Sequence, residues 1–355
     1  MKSQQHLNET EKAIVVLSRT TALIALFFMV IIGIFISVII DTGFGKKEFL
    51  AKQVTSETAI TNVETVAQVD NTWKAPLEST IPAGKEGEAI LYGKDLIANT
   101  STYLGPNGKV AAISNGMNCQ NCHNDAGKKP WGNNYSAVYS TYPKFRARSG
   151  TKETIVKRIN DCFERSLNGK ALDSTSKEMT AMIAYIKWLG TNVKKGEKPE
   201  GVGIQKLAFL DRAADAQKGA AIYDTKCASC HGKNGEGLLN VDKTGYTYPP
   251  MWGKNSYNDG AGLYRISNFA GFVKTNMPFG VTYQNPILTD EESWDVAAFV
   301  NSQPRPHKNQ SKDWKDFAQK PVDFPFGPYA DQFTEKQHKY GPFEEIVTAQ
   351  KLKSK

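Results

Sequence analysis

The 355-residue sequence predicts an all-α protein in which one hydrophobic helix precedes two similar helical domains. Three observations predict this class. Residues 20–40 contain no charged side chain, and residues 119–123 and 227–231 both read C-x-x-C-H. Each of these pentapeptides lies between a short helical pattern and a longer amphipathic one. The two halves of the chain are therefore an internal repeat.

The uncharged segment, residues 20–40, is long enough to cross the roughly 30 Å hydrocarbon core of a bilayer as a helix. A secretory signal has a shorter apolar stretch and a small-residue cleavage site. The sequence SVIIDTGFG that follows offers no convincing site of that kind. We therefore predict an uncleaved single-pass anchor, with a cleaved signal as the alternative. Lysines and arginines are nearly balanced on its two sides, so they do not fix its orientation.

The C-x-x-C-H pattern is the attachment motif of c-type haem. Its spacing lets two thiols add to the two vinyl groups of one haem, while the adjacent histidine binds the iron. A lone C-x-x-C could also be a redox or zinc motif, but two copies that both end in histidine predict two covalently bound haems. The predicted attachment residues are Cys119, Cys122 and His123 for the first haem, and Cys227, Cys230 and His231 for the second.

Helical patterns flank both motifs at matching positions. A short helix is predicted before each motif, and an amphipathic helix closes each repeat. The short helices are predicted at 87–97 and 216–227, and the closing helices at 176–190 and 288–303. Thr289 and Glu292 form a predicted capping box at the start of the last helix. This layout resembles two class I cytochrome c domains in tandem, which implies that crossing helices enclose each haem.

The domain organisation follows from these positions. Because haem of this type is attached outside the cytoplasmic membrane, the resemblance implies that the body faces the periplasm. The aromatic residues of the tail predict that it packs across both domains. The predicted divisions are a cytoplasmic segment at 1–19, the anchor at 20–40, a linker at 42–79, the first domain at 80–200, the second at 201–310 and the tail at 311–355.

The repeat also predicts the sixth ligand of each iron, which a class I domain takes from the loop before its closing helix. In the second repeat this loop contains Met277 followed by Pro278. We predict Met277 as the ligand. Met251 is the competing methionine, and a nearby lysine or histidine is a further alternative. A methionine that merely fills the core is the plain structural interpretation.

In the first repeat the corresponding loop has no methionine but contains Cys162, the fifth cysteine of the chain. We predict Cys162 as the sixth ligand of the first haem. The alternatives are an inert buried thiol or an intermolecular disulfide. Arg158 and Ser166 are spaced by four from Cys162 on a helix predicted to stop near Gly169, so all three share one face. A cation, a thiol and a hydroxyl beside a haem predict a small anion site.

Several segments together resemble the dihaem thiosulfate dehydrogenases, over about residues 80–350. They are RINDCFERSLNGKAL, the two C-x-x-C-H motifs, YPPMWGKNSYNDGAGL, KTNMPFG and the tail KPVDFPFGPYADQFTEKQHKYGPFEEI. The resemblance implies an enzyme that interconverts thiosulfate and tetrathionate and exchanges two electrons through two haems with a partner, such as a c-type cytochrome or a quinol-linked protein. The hydrophobic helix is a departure, since many members are exported as soluble proteins.

The resemblance also implies roles for residues. It implies a His123/Cys162 ligand pair on the first haem and His231 with a methionine or lysine on the second, where Met277 fits the methionine form. The implied substrate site consists of Arg148, Arg158, Cys162 and Ser166. Because a thiolate is a nucleophile, we hypothesise that Cys162 forms a transient sulfur–sulfur adduct with substrate.

Two other functions compete with this one. A non-enzymatic, membrane-anchored dihaem electron carrier or oxidase subunit would be expected to use methionine at both distal positions. A sulfur-oxidation cytochrome that joins thiosulfate to a carrier protein would also use a cysteine-ligated haem. Nucleic acid is not expected as a partner, because the net charge of +8 is scattered along the chain and forms no dense basic block.

Overall fold

The computed structural model describes residues 9–41 and 70–353. The chain divides into two compact units, Met1–Gln68 and Val69–Lys355. Residues 1–8 of the predicted cytoplasmic segment, and residues 42–69 of the predicted linker, lie outside the described residues. Both haem motifs and the tail belong to the second unit.

The described part of the first unit is helix α1, which spans Glu9–Asp41. It therefore starts before the predicted anchor boundary at residue 20. Its segment Val16–Ile34 is long and apolar enough to cross a membrane. Large apolar side chains such as Leu23 and Phe27 are more than half exposed along it. A single helix of this kind near the N-terminus fits a membrane anchor and equally fits a signal sequence.

The second unit begins with a repeat of six helices and one hairpin. Its elements are α2 (Lys85–Ala98), α3 (Thr100–Leu104), α4 (Asn124–Gly127), α5 (Val138–Thr141), β1 (Lys144–Arg146), β2 (Thr151–Glu153), α6 (Ile155–Arg165) and α7 (Lys177–Leu189). Helices α2 and α7 pack against each other. Their contact is close because Gly93 of α2 faces the carbonyl group of Ala181, where a Cβ atom would overlap the oxygen.

The second repeat has the same plan. Its elements are α8 (Ala216–Lys226), α9 (Ala228–His231), β3 (Leu238–Leu239), β4 (Tyr246–Tyr248), α10 (Ile266–Asn276) and α11 (Asp290–Ser302). Helix α8 packs against α11, and Gly219 faces the carbonyl group of Asp295 just as Gly93 faces that of Ala181. The predicted capping box is confirmed: Thr289 accepts from the Glu292 backbone, and the Glu292 carboxylate accepts from the Thr289 backbone.

Each repeat has its own apolar core. The first is built on α2 and α7 and includes Leu96, Met179 and Met182. The second is built on α10 and α11 and includes Phe269 and Trp294. The helical periodicity of α7 is therefore expressed as burial of one side of that helix. Helix α11 is buried on all sides from Ser293 to Ala298.

The fold differs from the sequence-based expectation in two details. The two antiparallel hairpins, β1–β2 and β3–β4, are not part of an all-α class. Helix α6 ends at Arg165, four residues before Gly169. At this end the carbonyl groups of Glu164 and Arg165 accept hydrogen bonds from Asn258 in the second repeat. These bonds satisfy carbonyl groups that a helix end leaves unpaired.

The residues on either side of the repeats also pack against them. Trp73, within the predicted linker, is buried and donates from Nε1 to Asn192. The tail contains α12 (Glu335–Tyr340) and α13 (Glu344–Lys353). It contacts the first repeat through Asp313, which accepts from Arg165, and the second through Phe343 and Ile346, which are buried in the second core.

Candidate haem and substrate site

The first motif and Cys162 line one cavity in the first repeat. Cys119, Cys122 and His123 lie along it together with Cys162 of α6. The structure thus brings together the four residues that the sequence predicts as attachment groups and iron ligands of the first haem. Much of the remaining lining is apolar and includes Ile97, Phe163 and Met182, as suits a macrocycle held in a dry site.

Two contacts hold the His123 ring in place. Its Nδ1 atom donates to the carbonyl oxygen of Asn133 at 2.5 Å, and Tyr135 stacks on the ring with centroids 4.5 Å apart. This hydrogen bond leaves Nε2 as the free nitrogen. Burial lowers the pKa of His123 to about 4, so the imidazole is neutral near neutral pH. A neutral, oriented imidazole is the form that binds a metal.

Helix α6 carries the predicted anion site. Thr154 caps its start by accepting from the Lys157 backbone, and the helix then places Arg158, Cys162 and Ser166 on the same cavity. The charge of Cys162 is the main cause that raises the pKa of Arg158. Three of the four residues predicted for substrate binding are therefore neighbours in the structure.

The fourth, Arg148, does not line this cavity. Its guanidinium donates to the buried carboxylate of Asp161 at 2.5 Å. Arg146 lines the cavity instead, together with Lys144. Both belong to β1, where residues two apart point to the same face of the hairpin. Arg148 comes after the end of the strand, so the alternation does not carry it to that face.

The second cavity contains the other motif. Cys227, Cys230 and His231 line it, and so do both candidate methionines, Met251 and Met277. The Nδ1 atom of His231 donates to the carbonyl oxygen of Pro249 at 2.8 Å. In both repeats, therefore, the histidine of the motif donates from Nδ1 to a backbone carbonyl group.

Nearby lysines differ in their access to this second cavity. Lys274, three residues before Met277, donates to the Leu288 carbonyl at 2.8 Å and pairs with Asp290 at 2.7 Å. Lys129 and Lys226 do line the cavity. However, Lys129 already donates to the carbonyl oxygen of Val281, and Lys226 lies 3.4 Å from Glu292.

The first motif also reaches the second cavity. Asn118, Gln120 and Asn121, which lie in or beside the first C-x-x-C-H, line it. The two motifs are thus close neighbours across the contact between the repeats.

The residues present fit covalent haem. Each cavity offers two thiols, one oriented imidazole and at least one further sulfur atom. Among the described residues no three His, Cys, Asp or Glu side chains converge as a site for a bare ion. The donor set therefore favours a haem iron over a zinc ion.

Comparison with known proteins agrees with this chemistry. Residues 109–194 match the family described as SoxA/TsdA, cytochrome c domain, and residues 216–304 match the cytochrome c family. A thiosulfate dehydrogenase of Psychrobacter arcticus is 42% identical over 245 residues, which cover 68% of this chain and 72% of that protein. The chain belongs to the thiosulfate dehydrogenase family.

Further relatives of this family are similar. The thiosulfate dehydrogenase of Allochromatium vinosum is 39% identical over 235 residues, covering 65% of this chain and 83% of its own. Among solved structures, the thiosulfate dehydrogenase TsdBA from Marichromatium purpuratum has a TM-score of 0.62 at 32% identity over 67% of this chain. This chain spans half of that solved chain. The cytochrome c fold and c-type haem are thereby established for this thiosulfate dehydrogenase family member.

Some residues of the site were not predicted from the sequence. Tyr142, Lys144 and Lys198 line the first cavity. The alternation in Lys144–Arg146 was a usable signal for Lys144, because a short strand would have put both cations on one face. Lys198 lies in the connector between the repeats, and its sequence carries no such signal.

Proposed function

We propose that this chain oxidises thiosulfate to tetrathionate at the first cavity and passes the electrons through a second haem to a redox partner. In this reaction two thiosulfates join through their terminal sulfur atoms and two electrons are released. The observation that carries the proposal is Cys162 on the same cavity as the first C-x-x-C-H motif, beside Arg158 and Ser166. An electron carrier needs neither this thiol nor the cations beside it.

We assign two haems, one to each motif, with His123 and Cys162 as iron ligands of the first and His231 and Met277 as those of the second. Bound haem iron supplies one-electron acceptors, and a thiolate ligand on the first with a methionine on the second favours electron flow from the first to the second. The lining of the second cavity by Gln120 and Asn121 of the first motif supports such a transfer.

The residues of α6 then have distinct tasks. Arg158 offers a guanidinium to the oxygen atoms of the anionic substrate, and Ser166 offers a hydroxyl group. The Cys162 sulfur forms a bond to the terminal sulfur of one thiosulfate, with loss of two electrons. A second thiosulfate then forms the central sulfur–sulfur bond of tetrathionate, while the bond to Cys162 breaks and the thiolate is restored.

The test compares two variants of the same helix, Cys162→Gly and Glu164→Gln. Glu164 does not line the cavity. We expect Cys162→Gly to abolish formation of tetrathionate while both haems remain bound, and Glu164→Gln to keep the wild-type rate. A ferric low-spin spectrum with thiolate character is expected in the wild type and in Glu164→Gln but not in Cys162→Gly. Full activity of Cys162→Gly would exclude the catalytic role.

A second candidate is transfer of thiosulfate to a cysteine of a carrier protein. It is favoured by a 28% identity over 134 residues to the L-cysteine S-thiosulfotransferase subunit SoxA of Rhodovulum sulfidophilum. The match covers only 36% of this chain. Incubation with thiosulfate and an electron acceptor alone separates the two, because only the dehydrogenase forms tetrathionate without a carrier.

For localisation we propose that α1 anchors the protein in the cytoplasmic membrane with the repeats in the periplasm. The apolar segment Val16–Ile34 supports this. A soluble periplasmic protein, released by cleavage of the helix, is the alternative. Membrane fractionation of the native host, followed by mass determination of the mature chain, distinguishes the two.

A further inference from the structure

The first cavity collects cations that donate no side-chain hydrogen bond to the described residues. Seven arginines lie between residues 70 and 353, and five of them donate side-chain hydrogen bonds to carboxylates or carbonyl groups: Arg148, Arg165, Arg212, Arg265 and Arg305. The other two, Arg146 and Arg158, donate none to the described residues. Both of these line the first cavity.

Two lysines add to this group. Lys144 and Lys198 line the same cavity, and within residues 70–353 neither makes a side-chain hydrogen bond or an ion pair. The Lys144 ammonium group lies over the Tyr142 ring, 4.8 Å from its centroid. Burial lowers the pKa of Lys144, and the charges of Arg146, Lys198 and Arg158 lower it further. These three cations are therefore close enough to Lys144 to repel it.

A carboxylate and a thiolate oppose these four charges. Glu153 of β2 lies 3.9 Å from the Nε atom of Arg146 and is buried. Neither of its oxygen atoms has a hydrogen-bond partner in the described part of the chain. The charge of Cys162 is the main cause that raises the pKa of Arg158. Four cations against these two negative charges leave a positive excess on the cavity, which favours the binding of anions.

Thiosulfate, the substrate of the proposed function, is an anion that binds in two copies. Two thiosulfates carry four negative charges and must approach each other sulfur to sulfur. One of them is served by Arg158 and Ser166, which lie on α6 with Cys162. Lys144 and Lys198 come from β1 and from the connector between the repeats, so they face the cavity from other elements. They are available for the other anion.

We propose that Lys144 and Lys198 form a second anion subsite, which binds the incoming thiosulfate and the sulfonate group of tetrathionate that is further from Cys162. The inference rests on the proposed function and adds the binding site of the second substrate. The two lysines act in the displacement step. In this step the sulfur–sulfur bond between Cys162 and the first thiosulfate breaks, and a new sulfur–sulfur bond forms between the two thiosulfates. No electrons are gained or lost. Compact ammonium groups suit this role, because they hold a tetrahedral head group without fixing its orientation.

The experiment uses the full chain with its haems and the variants Lys144→Gln, Lys198→Gln and the double variant. Lys194→Gln is the matched control, because Lys194 is exposed in the same connector but does not line the cavity. Each single substitution is expected to raise the KM for thiosulfate about fivefold, the upper range for a solvent-exposed charge pair. The double variant is expected to raise it roughly 25-fold if the two act independently, with kcat changed less than about twofold.

A single-turnover measurement assigns the effect to the second substrate. The Cys162 adduct is formed with one equivalent of thiosulfate and an excess of electron acceptor, and its rate is followed by intact mass. Release of tetrathionate is then started with a second portion of thiosulfate. The double variant is expected to form the adduct at the control rate and to release tetrathionate at least about fivefold more slowly at the same thiosulfate concentration.

Three outcomes overturn the inference. If the double variant and Lys194→Gln have the same rates in both steps, the two lysines bind no substrate. Equal slowing of both steps assigns them to the first thiosulfate. If wild-type protein makes no tetrathionate from thiosulfate, the proposed function fails and the subsite fails with it, whereas the first two outcomes leave the proposed function intact.

Discussion

The guanidinium of Arg148 donates to the carboxylate of Asp161, the residue that precedes Cys162, at 2.5 Å. The Asp161 side chain is buried, with 3% of its surface exposed, and that of Arg148 is 13% exposed. The Nζ atom of Lys157 also donates to this carboxylate, at 2.6 Å. The charge of Arg148 is thus used to hold α6 against the β1–β2 hairpin. Arg158, one turn before Cys162, keeps its charge for the cavity.

Substitution of these two arginines is expected to separate stability from activity. Arg148→Gln leaves a buried carboxylate with Lys157 as its remaining cation, so the free energy of unfolding should fall by about 2 kcal/mol, below the usual cost of breaking a buried pair. Arg158→Gln breaks no hydrogen bond or ion pair in the described residues and should change stability by less than about 0.5 kcal/mol. It should lower kcat/KM at least about tenfold, since charge-assisted hydrogen bonds to the substrate are lost.

Chemical denaturation and steady-state kinetics on the two variants measure these effects. Each variant is the control of the other, because both remove one arginine within ten residues of sequence. If Arg148→Gln lost activity as strongly as Arg158→Gln while its folded fraction stayed intact, Arg148 would have to reach the substrate in another conformation.

These arginines show where sequence reasoning succeeds and where it stops. The haem motifs, the closing helices and the Thr289 cap depend on spacings of a few residues, so they can be read directly from the sequence. The face that Arg148 occupies depends on where strand β1 ends. That end is set by pairing with β2 and by contacts with the tail, such as the hydrogen bond from the Trp314 backbone to the Arg148 carbonyl.

Other features depended on the same long-range contacts. The Glu164 carbonyl at the end of α6 accepts from Asn258, nearly a hundred residues away in the chain. Lys198 reaches the first cavity because the connector folds back over it, and no local pattern encodes that path. Arg146 reaches the cavity through the alternation of strand β1, which depends on pairing with β2.

The tail contacts α6 through a second ion pair of low exposure. Arg165, the last residue of α6, donates to Asp313 at 2.8 Å, and the two side chains are 9% and 11% exposed. We expect Asp313→Ala to lower the free energy of unfolding by about 3 kcal/mol, because it leaves the guanidinium buried without its carboxylate. The double variant Arg165→Met/Asp313→Ala should recover most of the loss.

A double-mutant cycle by chemical denaturation tests this pairing. Asp316→Ala is a suitable control in the same tail, since Asp316 is exposed and its side-chain bonds are local, to Ala318 and Gln319. Additive effects of the two buried substitutions would show that Arg165 and Asp313 do not stabilise each other.

The second cavity offers two candidate methionine ligands for its haem. Met277 and Met251 both line its cavity, and Met277 directly follows α10. We expect Met277→Ala to lower the reduction potential of the second haem, because a methionine ligand raises it. Met251→Ala should leave the potential near the wild-type value and cost stability only through the lost side-chain volume. Potentiometric titration of both variants decides between the two residues, and a shift only in Met251→Ala would reverse the assignment.

The last prediction concerns a close helix contact that occurs in both repeats. Gly93 on α2 and Gly219 on α8 occupy equivalent positions, each directly against a carbonyl group of the closing helix of its own repeat. A methyl group at either position cannot be accommodated by moving a side chain, because the obstacle is backbone. Gly93→Ala and Gly219→Ala should each therefore lower the free energy of unfolding by about 2–3 kcal/mol, in spite of the better helix propensity of alanine.

The control is Gly262→Ala, since Gly262 has open space where a Cβ atom would lie. This variant should be neutral within about 0.5 kcal/mol. Thermal or chemical unfolding of the three variants gives the comparison. If Gly93→Ala were as stable as Gly262→Ala, α2 and α7 could separate without cost. The close helix crossing would then not be what holds the walls of the first cavity together.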